Sequence, residues 1–493
     1  MKNLFILFCL GLLAAGCSVS RYHPARKFAP DVLKEDYRIF RGTLEEWHPS
    51  LYWYTPKDSM DAVFRIGEAK LSDSLTEPKF RAVLSWVVAR INCGHTAVRP
   101  SVGAARYRDT ASRPLFPLAL KIWGDTAVVV SNVNRRDSLP ARGHLLTALG
   151  GRPIRQLIDT FSAHLSRDGY NLTHRYQSLS NRGTFAGLYS VLYGLPPRMT
   201  VRYKDSAGVE RSGTIGLYRS RPDSLPRQPL PGDRPSRRQR KRQMLASVRQ
   251  LRTDTALQAA FMELNSFAKG YGVRRFIRST FRKLDRQNIR HLVIDLRGNG
   301  GGNVNTSNLL TRYIADRRFK IADTLYAITN KGPYGKYQKG YWLNRLFFRF
   351  MTRRRPDGRY HFTYYEGRYF YPKRRHHFNG QVYILTGGNT FSASTLFAGS
   401  VMDQENVTVV GEETGGGAYG NTAWLMPDIT LPHTGVRVRV PLFRLVIDGR
   451  RPRNGRGLLP EVPAYPTWEA IRKGVDFKME AVKAIIRGGE GAD

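Results

Sequence analysis

The chain has 493 residues, with 79 Lys and Arg against 39 Asp and Glu, so its formal net charge is +40. Hydrophobic residues make up 41% and aromatic residues 11%, which is enough to form buried cores and excludes a wholly disordered chain. The length predicts two to four domains of roughly 100–200 residues, and the charge suggests nucleic acid, an anionic membrane or an acidic polymer as a partner.

The N-terminus has the pattern of an export signal. Lys2 precedes a short apolar run, Leu4–Leu13, and small residues then lead to Cys17, an ending that resembles the lipobox of bacterial lipoproteins. We predict a lipoprotein signal peptide at 1–17, lipidation at Cys17, and a protein lipid-anchored to the bacterial cell envelope, at the outer membrane or periplasmic face. The alternative is an ordinary cleaved signal with an incidental cysteine. Beyond this segment only Cys93 remains, so no intramolecular disulfide is expected.

Two patterns follow in the first half of the mature chain. Residues 25–105 have apolar positions at helical spacing and end in a polar turn that contains His95, which predicts an N-terminal helical domain. Residues 113–217 are rich in short β-type runs around a strand, a Gly-Gly turn and a helix at Gly143–Ile158. That order is similar to a PDZ module, which binds peptide ends by strand addition, and any other small β-domain is the alternative.

The second half begins with a basic segment and continues as an alternation of strands and helices. We predict a Pro/Arg-rich linker at 218–254, because Arg219–Arg252 holds eleven basic and two acidic residues and such charge runs are usually solvated. A nucleic-acid or lipid-headgroup patch is the alternative. Residues 255–485 predict an α/β core with parallel strands, with strands expected at 260–267, 291–296, 381–386 and 407–411.

A run of glycines follows the predicted buried strand at 292–296. Asp295 begins the sequence Asp-Leu-Arg-Gly-Asn-Gly-Gly-Gly, which ends at Gly302. Consecutive glycines let the backbone approach a ligand and turn its N–H groups toward negative charge. A Walker A loop is excluded because Gly-Lys-Ser/Thr is missing, and the dinucleotide fingerprint is excluded because Asn303 occupies its last glycine position.

A serine lies at a second place where a predicted strand runs into an irregular turn. Residues 383–400 run from a strand through a polar turn into a helix, so Ser392 is expected near a helix N-terminus. Free backbone N–H groups and the positive end of the helix dipole would surround its hydroxyl there. The alternative is that Ser392 is only the N-cap of that helix.

Three segments in this order resemble the S41 family of serine peptidases, which includes the C-terminal processing proteases and the tricorn core protease. They are the glycine run, the Thr-Phe-Ser-Ala-Ser sequence at 390–394, and Val-Val-Gly-Glu-Glu-Thr-Gly-Gly-Gly at 409–417. The segments 454–461 and 91–96 add to the match. The resemblance implies an α/β (ClpP/crotonase-like) S41 catalytic core at 255–485 and peptide or protein substrates. The sequence contains no spaced cluster of His, Cys, Asp or Glu that suggests a metal site, and we expect no cofactor.

The resemblance also implies the site residues. Ser392 falls on the family's nucleophile, and the N–H groups of Ala393 and of Gly301 or Gly300 fall on its oxyanion hole. Processing proteases use a lysine as base, but Gly417 occupies that position. Tricorn-like members instead use a histidine from the N-terminal helical unit, which corresponds to His95. A histidine in a turn can equally be a surface residue, and His433 is the rival base.

Two departures from the family pattern bear on activity. Cys93 replaces the usual aspartate two residues before His95, and Asn454 stands where tricorn supplies a glutamate. Asn454 is therefore a possible orienter of His95. The function expected is a cell-envelope serine endopeptidase with a Ser-His acyl-enzyme mechanism. The alternative is a non-catalytic peptide-binding envelope lipoprotein on a degenerate S41 fold.

A further segment mixes charge with aromatic rings. Residues 345–375 hold ten basic residues, two acidic residues and ten Phe or Tyr. This mixture suits single-stranded nucleic acid, but export disfavours that partner, and the aromatic residues would then pack a lid or loop subdomain. The basic segments would place a lipid-anchored enzyme against an anionic envelope surface.

Overall fold

The computed structural model describes residues 22–107, 115–134, 139–181, 183–218 and 235–489. The predicted signal peptide with Cys17, and residues 219–234 of the predicted linker, lie outside these ranges. Within them the chain forms a mixed α/β, multidomain fold with several sheets.

Three long helices occupy the segment in which the sequence shows helical spacing. The first begins with Pro30, whose fixed φ suits a first helical position, and it buries one face that includes Tyr37 and Phe40. The helices of this unit are α1 (Pro30–Trp47), α2 (Lys57–Ala69), α3 (Glu77–Ile91) and α4 (Val102–Arg106). Its short strands are β1 (Lys27–Phe28), β2 (Leu75–Thr76) and β3 (Ala97–Arg99).

Residues 115–218 form a separate antiparallel sheet with its own hydrophobic core. The strand order is β4-β5-β6-β8-β9, with β7 paired to β6, and Phe161 and Val201 are among the buried residues shared by helices and strands. The PDZ-like assignment stays a prediction. The strands are β4 (Leu118–Trp123), β5 (Thr126–Asn132), β6 (Leu145–Leu149), β7 (Arg152–Pro153), β8 (Arg198–Lys204) and β9 (Glu210–Gly216). The helices are α5 (Ile154–Ser162), α6 (Thr173–Ser180) and α7 (Thr184–Tyr193).

The central sheet of the second half has six strands in the order β10-β11-β12-β16-β17-β22. Every neighbouring pair is parallel except β10 and β11, which confirms the predicted α/β core with parallel strands. The strands are β10 (Arg249–Asp254), β11 (Ala259–Leu264), β12 (His291–Asp295), β16 (Gln381–Thr386), β17 (Val407–Gly411) and β22 (Val462–Pro463). The helices that follow these strands are α9 (Val273–Arg286), α10 (Val304–Ile314) and α12 (Ala393–Val401).

The predicted linker 218–254 extends too far along the chain. Its last residues are β10, which pairs with β11 over six residues, and α8 (Arg237–Ala246) precedes it with a capping box at Ser236. The sequence did not predict these elements because their basic side chains were interpreted as a solvated charge run. An edge strand can carry charged side chains at half-exposed positions and still pair fully through its backbone.

The predicted basic–aromatic segment contributes two strands to a second sheet, in the order β14-β15-β13-β21-β18, and packs aromatic residues against it. Phe348 stacks on Phe443 with ring centroids 5.3 Å apart, and Phe362 contacts Phe347 and Tyr365. Much of this segment is therefore a packed subdomain. Its elements are β13 (Thr324–Ala327), a 3₁₀ helix (Pro333–Tyr337), α11 (Tyr341–Met351), β14 (Arg353–Arg354), β15 (Tyr360–His361), β18 (Gly420–Ala423) and β21 (Phe443–Val446).

A third sheet joins the N-terminal helical unit to the core. Strands β19 (Asp428–Thr430) and β20 (Arg437–Arg439) pair with each other, and β20 also pairs with β3 of the helical unit. Because His95 lies two residues before β3, this sheet fixes the turn that holds His95 relative to the core. None of the helices in the described ranges is both long and apolar enough to span a bilayer.

The C-terminal helices are α13 (Trp468–Lys473) and α14 (Phe477–Gly489). Helix α14 is fastened to the central sheet by a buried ion pair, in which Lys478 Nζ lies 2.6 Å from Glu412 Oε2 and donates to the Thr386 carbonyl at 2.9 Å. Burial lowers the pKa of Lys478, and the Glu412 carboxylate opposes that shift. The pair therefore attaches α14 to the core at the carboxyl ends of β16 and β17.

Removing one member of this pair should destabilise the fold. Lys478→Met is expected to lower the free energy of unfolding by about 3–5 kcal/mol, because Glu412 would be left as a buried charge without a partner. The double variant Lys478→Met/Glu412→Leu should recover most of that loss. Denaturant unfolding of the three proteins measures both effects, and a single variant within about 1 kcal/mol of the wild type would contradict the account.

Candidate active site

Ser392 lies at the turn between β16 and α12 with an unusual backbone conformation. Its φ is 56° and its ψ is −120°, a region that residues other than glycine rarely adopt and that is found at functional sites. The side chain makes no capping hydrogen bond to α12, so the N-cap alternative does not hold. Ser392 is therefore held in a sharp strand-to-helix turn for some reason other than capping.

The neighbours of Ser392 hold this turn against the glycine loop after β12. Thr390 Oγ1 donates to the Leu296 carbonyl at 2.8 Å, and the Phe391 N–H donates to the Asn299 carbonyl at 3.1 Å. On the other side, Ser307 Oγ of α10 donates to the Ala393 carbonyl at 2.7 Å. The turn is thus fixed by buried hydrogen bonds to two elements, which pre-organises it.

The glycine loop is pressed against the Ser392 turn. Gly301 has a φ of 94°, and a Cβ atom there would lie 2.7 Å from the Phe391 carbonyl oxygen and 2.9 Å from the Ala393 nitrogen. A side chain at position 301 would therefore both strain the backbone and displace the turn. This close approach explains why glycine is needed at this position.

The three predicted oxyanion-hole residues differ in what their N–H groups do. The Gly301 N–H donates to Asn299 Oδ1 at 2.9 Å, so the loop itself already satisfies it. Over the described residues, the N–H groups of Gly300 and Ala393 donate to no protein acceptor. Gly300 and Ala393 are therefore the pair left free to bind a ligand oxygen, and Gly301 contributes by its lack of a side chain.

Asn299 is a residue that the sequence analysis missed. It is fully buried, its Nδ2 donates to the Leu264 carbonyl at 2.9 Å, and its Oδ1 accepts from Gly301. Asn299 thus sets the shape of the glycine loop through its amide. The sequence offered only an asparagine between glycines, a pattern that is common in turns.

His95 lies in the turn between α3 and β3, and this turn packs on the residue before Ser392. The imidazole of His95 and the Phe391 ring have centroids 4.8 Å apart, and a Cβ on Gly94 would lie 2.5 Å from Phe391 Cζ. Both ring nitrogens of His95 are buried without a hydrogen-bond partner in the described residues. Buried polar atoms are rarely left unpaired, so these nitrogens are available to a reacting group.

Asp168 supplies the carboxylate nearest to His95, and the sequence analysis missed it as well. Its Oδ1 lies 4.0 Å from His95 Nδ1, an ion-pair distance, and accepts the Gly94 N–H at 2.8 Å. Its Oδ2 accepts the Gly417 N–H at 3.3 Å. Asp168 comes from the 115–218 module, so no spacing in the sequence links it to His95.

Burial and charge act in opposite directions on His95. Burial lowers its pKa, the Asp168 carboxylate raises it, and His174 and Arg439 lower it further. The net effect is a pKa below the ordinary value of 6.5, which keeps the imidazole neutral at neutral pH. A neutral imidazole can accept a proton, as a base must.

The structure does not bring Asn454 into hydrogen-bonding contact with His95. The Asn454 side chain is exposed, and its Oδ1 accepts the Arg456 N–H at 3.0 Å within a local turn. Cys93 is buried, its thiol has a pKa raised by burial to about 11, and its Sγ points to the Thr422 carbonyl at 3.8 Å. Neither residue therefore replaces a carboxylate at His95.

Two other histidines were candidates for comparison with His95. His433 lies in an exposed turn between β19 and β20, where its Nε2 pairs with Glu35 at 2.9 Å. His174 also packs on Phe391, with ring centroids 4.8 Å apart, but its Nδ1 lies 2.7 Å from the Gly388 carbonyl. His174 therefore has a structural hydrogen bond at one ring nitrogen, whereas both nitrogens of His95 are free. The described residues contain no group of three His, Cys, Asp or Glu suited to a metal ion.

Comparison with known proteins relates the second half of the chain to a peptidase family. Residues 258–464 match the family model of peptidase family S41, and no curated protein matches the sequence. The fold resembles mature CPAF with a TM-score of 0.62 and 14% identity, over 93% of this chain and 96% of that chain. It resembles a CPAF mutant with a TM-score of 0.63 and 13% identity, over the same shares of the two chains. It also resembles mature CPAF complexed with lactacystin, with a TM-score of 0.59 and 14% identity, over 93% of this chain and 98% of that chain. The matched residues include Ser392, the glycine loop and five of the six strands of the central sheet, so residues 258–464 form a peptidase family S41 domain and the protein is a serine-type peptidase.

Proposed function

We propose that this peptidase is a cell-envelope serine endopeptidase that acts through an acyl-enzyme formed on Ser392, with His95 as the base. The observation that carries the proposal is the convergence of three features at Phe391. These are the strained Ser392 turn, two unbonded N–H groups at Ala393 and Gly300, and a buried imidazole at His95 whose two nitrogens lack a hydrogen-bond partner in the described residues.

In the first half of the reaction, Ser392 Oγ attacks the peptide carbonyl while its proton passes to His95. The N–H groups of Ala393 and Gly300 stabilise the oxyanion of the tetrahedral intermediate, and each such donor contributes about 3–4 kcal/mol. His95 then gives its proton to the departing amine as the C–N bond breaks. In the second half, water loses a proton to His95, attacks the ester and releases the carboxylic acid product.

Asp168 acts in this scheme as a positioning residue for His95. Its carboxylate is buried, it is held by the N–H groups of Gly94 and Gly417, and it lies at ion-pair distance from Nδ1. It would stabilise the imidazolium that forms during attack. In this scheme the acidic residues that the family pattern has at the positions of Cys93 and Asn454 are not needed, because a carboxylate from a different part of the chain orients His95.

Asp168→Asn is expected to lower kcat by about 10²–10⁴-fold, because the imidazolium loses its counter-charge. It should also move the acid limb of the pH profile to lower pH. The base works when neutral, above its pKa, and the Asp168 carboxylate raises that pKa; the substitution therefore lowers it further. Steady-state rates from pH 4 to 9 test both effects, and an acid limb that moves upward or stays in place would contradict the role.

The endopeptidase assignment is tested by the position of the cuts. Mass spectrometry of the fragments from an unfolded protein substrate should show internal cleavages with the wild type and none with Ser392→Ala. Products that only shorten the substrate from one end would indicate an exopeptidase.

The envelope location rests on the N-terminal sequence. We propose lipidation at Cys17, after a signal at residues 1–17. Metabolic labelling with palmitate in a bacterial host should mark the wild type and not Cys17→Ser, and the labelled protein should sediment with membranes. Equal labelling of the two would overturn the lipid anchor.

A further inference from the structure

Helix α11 has an apolar stripe that faces solvent. Its inner face packs on the second sheet through Phe348, which is 2% exposed. On the opposite side four large apolar side chains point outward, with exposed fractions between 43% and 73%: Trp342, Leu343, Leu346 and Phe350. Positions 342, 346 and 350 recur at i, i+4 and i+8, so the four form one continuous stripe about 100° wide along the helix. We name these four residues the α11 stripe.

Arginines border the α11 stripe. Arg345 and Arg349 lie on the adjoining face of the helix, at i+3 and i+7 from Trp342, and both are exposed. Arg353 and Arg354 follow directly and form β14, also exposed. Among the arginines from 345 to 355, all of which lie in the described chain, Arg355 forms an ion pair with a carboxylate, that of Glu366 at 2.7 Å. The other arginines at this edge are therefore available to an external anion.

The structure assigns this surface to an anionic phospholipid bilayer. We propose that α11 lies in the plane of the interface, with the α11 stripe inserted among the upper acyl chains and Arg349, Arg353 and Arg354 paired with lipid phosphates. An exposed stripe of this size costs free energy in water, and an apolar stripe with an arginine border is the pattern of interfacial helices. The long arginine stems allow the charges to stay at the headgroups.

The charge of the surface favours a bilayer over a second copy of the chain. Two α11 stripes packed together would bring the same unpaired arginines of both copies near each other, and each chain carries a net charge of +40. An anionic bilayer instead offers opposite charge around an apolar interior, and each arginine near its surface strengthens binding about fivefold. This inference does not depend on the catalytic proposal, because no α11 residue takes part in it.

The decisive test reads the environment of the helix itself. The full chain would carry Cys9→Ser and Cys17→Ser, since the third cysteine, Cys93, is buried. An environment-sensitive fluorophore is attached at Leu346→Cys or, as the control, at Gln243→Cys on the exposed basic helix α8. With equimolar phosphatidylglycerol and phosphatidylcholine vesicles, the label at 346 should shift to the blue and be quenched by brominated acyl chains, whereas the label at 243 should do neither. An unquenched label at 346 on vesicle-bound protein would overturn the proposal.

Matched variants separate the stripe from its arginines. Trp342→Ser/Phe350→Ser should weaken vesicle binding at least about tenfold, whereas Tyr371→Ser/Tyr465→Ser, at rings that are similarly exposed, should not. Arg349→Gln/Arg353→Gln/Arg354→Gln should weaken binding to anionic vesicles roughly tenfold or more and reduce its salt dependence, whereas Arg238→Gln/Lys241→Gln/Arg242→Gln on α8 should have a smaller effect.

Peptide hydrolysis in solution should be unchanged in all of these variants, so a failure here is distinguishable from a failure of the catalytic proposal. A label at 346 that shifts with protein concentration in the absence of vesicles, together with dimers in sedimentation, would show that a second copy covers the stripe and would overturn the bilayer assignment.

Discussion

Ser392→Ala is expected to reduce kcat for peptide hydrolysis by about 10⁶-fold, the loss typical of removing the nucleophile from a serine peptidase. The reason is that the other hydroxyl of this turn, Thr390 Oγ1, already donates to the Leu296 carbonyl, whereas Ser392 lies at the strained position with the unbonded N–H of Ala393 beside it. Substrate affinity should change little, because the hydroxyl is small. Steady-state kinetics on a fluorogenic peptide, with fluorescence polarisation for binding, measure the two effects separately.

The neighbouring serine of the Ser-Ala-Ser sequence is the matched control. Ser394 is fully buried in the first turn of α12, and its hydroxyl has no partner in the described residues. Ser394→Ala should therefore keep activity within a few-fold of the wild type. A Ser392→Ala protein that keeps more than about a hundredth of the wild-type kcat would contradict the nucleophile, given the loss expected.

His95→Ala should reduce kcat by about 10⁴–10⁶-fold, because Ser392 would lose the group that takes its proton. The rival imidazoles provide the comparison. His433 is exposed and paired with Glu35, so His433→Ala should keep full activity. His174 donates to the Gly388 carbonyl near Phe391, and His174→Gln should lower activity modestly through the turn it supports.

The pH profile distinguishes loss of a base from loss of structure. The wild type should keep activity to a pH below 6.5 and lose it as His95 is protonated, because burial places the pKa of His95 below that value. The residual rate of His95→Ala should be low and should no longer fall through this acid limb. If His174→Gln abolished activity and His95→Ala did not, the base would be assigned to the wrong histidine.

The sequence predicted the elements that carry strong local signals. The strands at 291–295, 381–386 and 407–411 lie where runs of Val, Ile and Leu predicted buried parallel strands. Ser392 and the glycine loop could be predicted because each directly follows a run of strand-type residues and begins an irregular turn. The family resemblance carried by these segments is confirmed by the match over 258–464.

The parts that the sequence could not predict depend on contacts between distant segments. Asp168 comes to His95 only because the 115–218 module packs between the helical unit and the Gly417 loop. Asn454 was expected near His95 by analogy, and the local turn at Arg456 takes its amide oxygen instead. Which glycine N–H is free could not be read from a run of glycines, because it depends on the amide of Asn299.

The charge that stands out in the composition also has a structural place. Arg353 and Arg354 lie exposed at the edge of the second sheet, and α8 presents a wholly exposed basic face. No lysine or arginine takes part in the proposed chemistry at Ser392, where the carboxylate of Asp168 is the charge nearest to His95. We propose that the basic surface determines where the peptidase is held, whereas the nearly uncharged serine and glycine site carries the chemistry.

The central claim is that His95 activates Ser392, and the rate of covalent labelling by a fluorophosphonate, mapped by peptide mass spectrometry, tests it most directly. The account predicts a single labelled residue, Ser392, with a rate that falls on acidification through a pKa below 6.5 and drops at least about a hundredfold in His95→Ala. Labelling of Ser392 at the wild-type rate in His95→Ala, or labelling of another residue in the wild type, would contradict it.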